Sequence, residues 1–98
     1  MGVRGRRRPT RLAEKLLRIR QELGLSQTEL LTRMGIAGDL QYTIISKNET
    51  GNREPTLLEL LEYARLANVY MDVLVDDSLD LPAHIPSRTK SPGIPRKK

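Results

Sequence analysis

The sequence lacks several residue types that would point to particular classes of protein. It has no cysteine, which excludes a disulfide framework and any thiolate metal site. It has no phenylalanine or tryptophan and only three tyrosines, so its core must be aliphatic, which suits packed helices better than a sheet. No apolar run approaches the about 18 residues that span a membrane, and none follows the N-terminal arginines as in a secretory signal. We therefore expect a cytoplasmic protein.

Residues suited to catalysis or cofactor binding are also scarce. The single histidine, His84, lies in a proline-rich stretch, where a solvated side chain is the simplest interpretation. No glycine-rich loop follows a strand, and Asp76, Asp77 and Asp80 lack the spacing and the glycine of a calcium loop. The sequence therefore predicts no enzyme, no metal site and no cofactor.

Charge is distributed unevenly around a net value of +5. Residues 1–11 contain five arginines and no acid, residues 84–98 contain five basic residues and no acid, and all twelve acidic residues lie between them. Cationic segments bind polyanions, nucleic acid first, with an affinity that falls as salt rises. The alternative is that they serve only solubility. Asp76, Asp77 and Asp80, at the acidic end of the predicted domain, either repel DNA from that end or are simply solvated.

Apolar spacing predicts five short helices between residues 10 and 76. The first carries Leu12, Leu16, Ile19 and Leu23 on one face and ends at Gly24. Capping boxes at Ser26–Glu29 and Thr56–Glu59 begin the second and fourth helices. The fourth helix carries one apolar stripe at helical spacing, formed by Leu57, Leu60, Leu61, Ala64 and Ala67. The third is expected at about 41–48, and residues 70–75 are expected to form a short final helix or turn. The predicted fold is a compact all-α domain.

The two ends of the chain are predicted to lie outside this domain. Residues 1–9, the N-terminal arm, are rich in arginine and glycine and are expected to be disordered. Residues 77–98, the tail, contain four prolines in the stretch from Pro82 to Pro95, so we expect an extended or disordered segment. The spaced apolar residues of 79–85 leave two alternatives open, packing on the chain's own domain or docking on a partner.

Four short motifs occur in the order typical of one family of DNA-binding proteins. They are residues 20–30 (RQELGLSQTEL), 45–51 (ISKNETG), 53–57 (REPTL) and 60–64 (LLEYA). Over about residues 12–75 the chain resembles the Cro/repressor-type helix-turn-helix family, also called Xre-like or lambda-repressor-like. The resemblance implies a five-helix domain that binds double-stranded DNA sequence-specifically. Such a domain belongs to a transcriptional regulator, in the first place a repressor. Members of the family commonly bind palindromic sites as dimers, so a homodimer is one state that the resemblance allows, and the sequence leaves the oligomeric state open.

The resemblance assigns roles to particular residues, with the recognition helix at about 41–48. Glutamine, lysine and threonine side chains suit base edges, and small polar groups suit phosphates. The residues implied as base contacts are Gln41, Tyr42, Thr43 and Lys47. The implied DNA-backbone contacts are Gln27, Ser46, Asn52 and Arg53, and Gln27 is also implied to brace the recognition helix. Arg20 and Glu49 are implied to form an ion pair between the first helix and the end of the recognition helix.

Two features depart from the family pattern. Residues 37–40 look like four extra residues before the recognition helix, so the turn is expected to be longer. Asn48 stands where the family prefers an aliphatic residue, which leaves two interpretations. Either Asn48 hydrogen-bonds near the following loop, or the helix ends one residue early.

The alternative function is that of an antitoxin or another protein-interaction module of a regulatory complex, because domains of this family also serve in such assemblies. In that case a protein partner would contact the acidic C-terminal end or the tail. An antitoxin would normally still bind DNA, so this function adds to the first one more than it replaces it.

Overall fold

The polypeptide, seen in a computed structural model that describes residues 8–35 and 42–96, is built mainly from helices. The helices are α1 (Leu12–Leu23), α2 (Gln27–Met34), α3 (Tyr42–Thr50), α4 (Leu57–Ala67) and α5 (Met71–Val75). A two-residue antiparallel ladder joins β1 (Leu79–Asp80) to β2 (Ile94–Pro95), with Leu79 opposite Pro95. The prediction of a compact, mostly helical small domain is confirmed.

The helix ends follow from local sequence signals. Gly24 and Gly35 adopt left-handed conformations, with φ of 71° and 73°, and their amides close the last turns of α1 and α2. Glycine suits these positions because it has no Cβ to clash. Both predicted capping boxes are formed, by Ser26 with Glu29 and by Thr56 with Glu59. Helix α3 continues to Thr50, two residues beyond the predicted end.

The core is aliphatic, as the composition predicts, apart from the fully buried Tyr63. The side chains that α1, α2, α3 and α5 bury completely include Leu16, Ile19, Leu30, Ile45, Val73 and Leu74. One apolar assignment is wrong. Leu57 was expected in the stripe of α4 but is 75% exposed, because it lies in the first turn, ahead of the buried Leu60.

The tail does not extend freely from the domain, and the expectation of disorder is wrong for residues 77–96. Leu81 and Ile85 are buried in the core. The Asn68 side chain donates to the Ser87 carbonyl at 2.7 Å, and the Tyr70 amide donates to the Ser91 carbonyl at 3.0 Å. Prolines prevent helix and central strand but not burial, so the alternative in which these apolar residues pack on their own domain is the one observed.

Two charged side chains fasten α1 to the segment after α5. The Asp77 carboxylate accepts from the amides of Thr10 and Arg11, at 2.9 and 3.1 Å, at the start of α1. Conversely, Lys15 Nζ donates to the carbonyls of Val73 and Asp76 at the end of α5. The hydrogen bonds from Thr10 hold the pKa of Asp77 below its usual range, and burial lowers the pKa of Lys15.

Within the described ranges, no helix has both the length and the apolar character needed to cross a membrane.

Candidate nucleic-acid interface

Helix α3 has a buried side and a polar side. It packs against α1 and α2, and Ile45, Asn48 and Glu49 are buried. Successive residues of a helix turn by about 100°, which places Thr43, Ser46 and Lys47 on the opposite side. Lys47 is exposed, whereas Thr43 and Ser46 are half-buried. The helix therefore offers an outward row of a cation and two hydroxyls.

An ion pair fixes the end of α3 to α1. Arg20 Nε donates to Glu49 Oε2 at 2.6 Å and Arg20 Nη2 donates to Glu49 Oε1 at 3.1 Å, a two-point contact. The third guanidinium nitrogen, Nη1, donates to the carbonyl of Leu25 at 2.9 Å, just ahead of α2. The Glu49 side chain is only 4% exposed and that of Arg20 is 18% exposed. The pair therefore ties three elements together in a largely dry position.

Gln27 joins the same arrangement from α2. Its Nε2 atom donates to Glu49 Oε1 at 3.3 Å, so α2 is braced directly against the end of α3. The side chain is half-buried and its residue is the first of α2. This is the bracing part of the role that the resemblance implies for Gln27.

A second ion pair lies on the other side of the α3 end, in the loop that leads to α4. Arg53 Nη1 donates to Glu59 Oε1 at 2.7 Å, and Arg53 Nη2 donates to Glu59 Oε2 at 3.0 Å. Nη1 also donates to Asn48 Oδ1 at 3.0 Å, and Asn48 Nδ2 donates to Glu59 Oε1 at 3.4 Å. These three residues are called the Asn48–Arg53–Glu59 cluster below.

The cluster explains the unusual asparagine. Asn48 is 1% exposed, so an unpaired amide there would be costly, and both ends of its amide have partners. The first interpretation of Asn48, a hydrogen bond near the loop, is confirmed, and the early end of the helix is wrong. The cluster also places Arg53, implied as a DNA-backbone contact, in an internal ion pair.

The electrostatics of this region favour the charged forms of Arg20, Arg53 and Glu59. Burial alone would raise the pKa of Glu59, but hydrogen bonds from Arg53 and from the Thr56 amide outweigh it, so the pKa lies below its usual range. The hydrogen bond to Glu49 raises the pKa of Arg20 further above neutrality. Tyr63 lies beneath these groups, and burial raises its pKa.

Asn52 lies in the exposed turn between the end of α3 and Arg53. Its amide donates to the Lys47 carbonyl at 3.0 Å, and the left-handed Gly51 before it, with φ of 82°, lets the chain reverse there. The Asn52 side chain donates to Thr50 Oγ1 at 3.0 Å. The turn therefore has a defined shape and an exposed amide side chain.

The N-terminal arm leaves the domain close to this turn. A cleft of about 290 Å³ separates residues 8–13 from the loop, and its lining includes Arg8, Gly51, Arg53 and Glu54. Arg8 is exposed. The described end of the arm, at Arg8, therefore lies beside the loop that follows α3.

Some implied site residues lie outside the described part of the chain. These are Gln41, the side chain of Tyr42 and the extra turn residues 37–40, together with residues 1–7 of the N-terminal arm. Of the base contacts implied by the resemblance, only Thr43 and Lys47 have described side chains.

Sequence reasoning missed Glu59 as a partner of Arg53 and the contacts of Lys15 and Asp77. Asn48 carried a signal for the cluster, since a polar residue at an expected apolar position needs a partner. Comparisons of the chain with family models, with curated proteins and with solved structures gave no match.

Proposed function

We propose that the protein is a sequence-specific transcriptional regulator, acting as a repressor, that binds double-stranded DNA through α2 and α3 as a helix-turn-helix. The observation that carries the proposal is the two-sided α3. Its inner side is fixed to α1 and α2 by Ile45 and by the Arg20–Glu49 pair, and its outer side carries Lys47. A short rigid helix with a polar outer row has the form that a major groove admits.

The roles within this interface follow from side-chain chemistry. Lys47 suits the O6 and N7 acceptors of guanine, and the Thr43 methyl suits the methyl group of thymine. Ser46, Gln27 and Asn52 suit phosphate oxygens, which position the domain without selecting sequence. Gln41 and Tyr42 complete the set of base contacts on the grounds of sequence alone.

The N-terminal arm adds a contact that does not depend on sequence. Arg8 lies at the cleft beside the α3–α4 loop, so the preceding arginines are tethered next to the proposed phosphate contacts. An extended chain covers at most about 3.3–3.6 Å per residue, so the arm is long enough to follow the DNA backbone or enter a neighbouring minor groove.

A protein-interaction role is the second candidate, and one observation favours it. Leu57 and Leu58 are adjacent at the start of α4 and are 75% and 74% exposed. The tail is a poorer candidate surface, because Leu81 and Ile85 are buried in the chain's own core. Light scattering of the wild-type protein and of a Leu58→Glu variant tests whether this surface forms a homodimer. A dimeric wild-type protein and a monomeric variant would support the homodimer, and a monomeric wild-type protein would exclude it.

The proposed function is tested by comparing duplexes of equal length and base composition. One contains the DNA upstream of the protein's own coding sequence, and the other contains the same bases in scrambled order. We expect tighter binding of the first in a fluorescence-anisotropy titration at physiological salt, by at least about 1,000-fold. Equal affinities for this pair, and for duplexes selected from a random pool, would contradict sequence-specific binding.

A further inference from the structure

The proposed function assigns no purpose to the Asn48–Arg53–Glu59 cluster. Arg53 was implied as a phosphate contact, yet both of its terminal nitrogens donate to Glu59, and one of them also donates to Asn48. The Glu59 side chain is 10% exposed and that of Arg53 is 29% exposed. A guanidinium held in this way is charge-balanced, and releasing it to a phosphate would leave a buried carboxylate without its partner.

The three residues belong to three consecutive parts of the chain. Asn48 is in the last turns of α3, Arg53 is in the loop, and Glu59 is in the first turn of α4. The Glu59 carboxylate also accepts from the Thr56 amide at 3.3 Å, so it caps α4 and holds Arg53 at the same time. The loop is therefore fixed at both ends and in its middle.

Among residues 51–55, the side chain that is exposed is that of Asn52. It follows Gly51 directly and its amide is bound to the Lys47 carbonyl, so its position depends on the path of the loop from 51 to 55. Lys47 itself lies one turn earlier on the outer side of α3. A shift of Arg53 would therefore change where the exposed Asn52 side chain lies relative to the Lys47 side chain.

We propose that the Asn48–Arg53–Glu59 cluster is a clamp that holds the loop in the shape in which Asn52 meets a backbone phosphate of duplex DNA. Arg53 is then a positioning residue and does not touch the DNA. The proposal depends on the proposed function, since it names the part of that interface which the cluster serves. It reassigns Arg53 from phosphate contact to internal support.

Removing the charge of Glu59 tests the clamp, because the clamp and long-range electrostatics predict opposite changes in the affinity for DNA. Glu59→Gln removes a negative charge from a DNA-binding protein, which by long-range electrostatics alone strengthens binding to DNA. The matched control is Glu62→Gln, which removes the same charge from α4, where Glu62 contacts only the exposed Arg65 among the contacts seen. If the clamp is correct, Glu59→Gln weakens binding about fivefold, the loss expected for about one hydrogen bond, and Glu62→Gln does not.

Arg53→Lys supplies the complementary test because it keeps the charge and loses the two-point contact. The clamp predicts weaker binding of preferred and scrambled duplexes alike, with an unchanged slope of log K against log salt. A direct phosphate contact predicts nearly wild-type binding for Arg53→Lys, and for Arg53→Ala a slope shallower by about 0.9. All titrations are made well below the thermal midpoint of each variant, with helicity checked by circular dichroism.

Amide hydrogen exchange of Asn52 and Thr56 gives a readout that needs no DNA. The clamp predicts faster exchange at both amides in Arg53→Lys and Glu59→Gln, but not in Glu62→Gln. Unchanged exchange, or binding of Glu59→Gln as tight as that of Glu62→Gln, would overturn the clamp. A third outcome is that the wild-type protein binds no duplex while exchange is faster only in Arg53→Lys and Glu59→Gln. In that case the proposed function is wrong, and so is the role of the clamp in DNA binding. The cluster would then be a structural support alone.

Discussion

The two arginine–glutamate pairs at the end of α3 have similar chemistry and different surroundings. The Arg20–Glu49 pair joins residues 29 positions apart and connects α1 to α3, whereas the Arg53–Glu59 pair joins residues 6 positions apart and connects a loop to α4. The first carboxylate is the more deeply buried of the two. Both arginines make two-point contacts with their carboxylates.

This difference indicates that the two pairs have separate tasks. Breaking a contact between distant helices leaves a buried charge in the core and affects the whole domain. Breaking a contact within a loop changes the local path of the chain, and the helices on either side retain their packing. We therefore expect the first pair to govern the free energy of unfolding and the second to govern the shape of the proposed interface.

The largest effect is expected when the pair between helices is broken. Arg20→Ala leaves Glu49 buried without its cation and removes the contact with the Leu25 carbonyl, so it should lower the free energy of unfolding by about 3 kcal/mol. Chemical denaturation at neutral pH measures this change.

The matched control is Arg65→Ala, which breaks an exposed pair within one helix. It should change the free energy of unfolding by less than about 0.5 kcal/mol. Equal denaturation midpoints for Arg20→Ala and the wild-type protein would remove the distinction between the two pairs.

A smaller effect with a pH dependence is expected from the loop pair. The pKa of Glu59 lies below its ordinary value in the folded protein, so its contribution to stability is complete above that ordinary value and is lost as the pH falls through the folded value. Glu59→Gln should be less stable than the wild-type protein at pH 7 by about 1–2 kcal/mol. The difference should shrink toward zero in acid, where the wild-type carboxyl is also neutral.

Denaturation of both proteins over a series of pH values between neutral and strongly acidic checks this expectation. A difference that stays constant with pH would mean that the Glu59 charge contributes nothing and that only the shape of the side chain matters.

Deletion of the N-terminal arm is expected to have the smallest effect on the preference of the protein among DNA sequences. Because Arg20 and Arg53 are held by carboxylates, the salt-dependent part of DNA binding is expected from other cations, first the arginines of residues 1–9. Deleting residues 2–8 should weaken binding to every duplex and make the slope of log K against log salt shallower by about 3 units. Preference among bases should be nearly unchanged. Equal slopes for intact and truncated protein would show that these arginines serve only solubility.

Much of the fold could be predicted from the sequence because its signals are local. The capping boxes at Ser26 and Thr56 and the helix end at Gly24 each depend on residues within one or two turns. The contacts that escaped prediction join distant residues, such as Asp77 with Thr10 and Arg11. The sequence left the tail undecided between packing on its own domain and docking on a partner, because the burial of Leu81 and Ile85 depends on a surface that other elements provide.

Some features of the candidate site could also be predicted from the sequence, and others could not. The outward positions of Thr43 and Lys47 follow from helical spacing once Ile45 is taken as the buried anchor. The ion pair of Arg53 with Glu59 does not follow from helical spacing. An arginine in a polar loop has the same local sequence whether it faces a phosphate or a carboxylate. Only the position of Glu59 across the loop decides between them.

The most direct test of the central claim, that α3 contacts base edges, compares Lys47→Ala with Lys90→Ala, an exposed lysine of the tail that lies over the Tyr70 ring. Binding of both variants to the preferred and the scrambled duplex is measured at one salt concentration. We expect Lys47→Ala to lose about 1–3 kcal/mol on the preferred duplex, to relax one base position and to change scrambled-duplex binding much less. Lys90→Ala should leave the ratio of the two affinities unchanged. An equal loss on both duplexes for Lys47→Ala would make Lys47 a phosphate contact and contradict its role in base recognition.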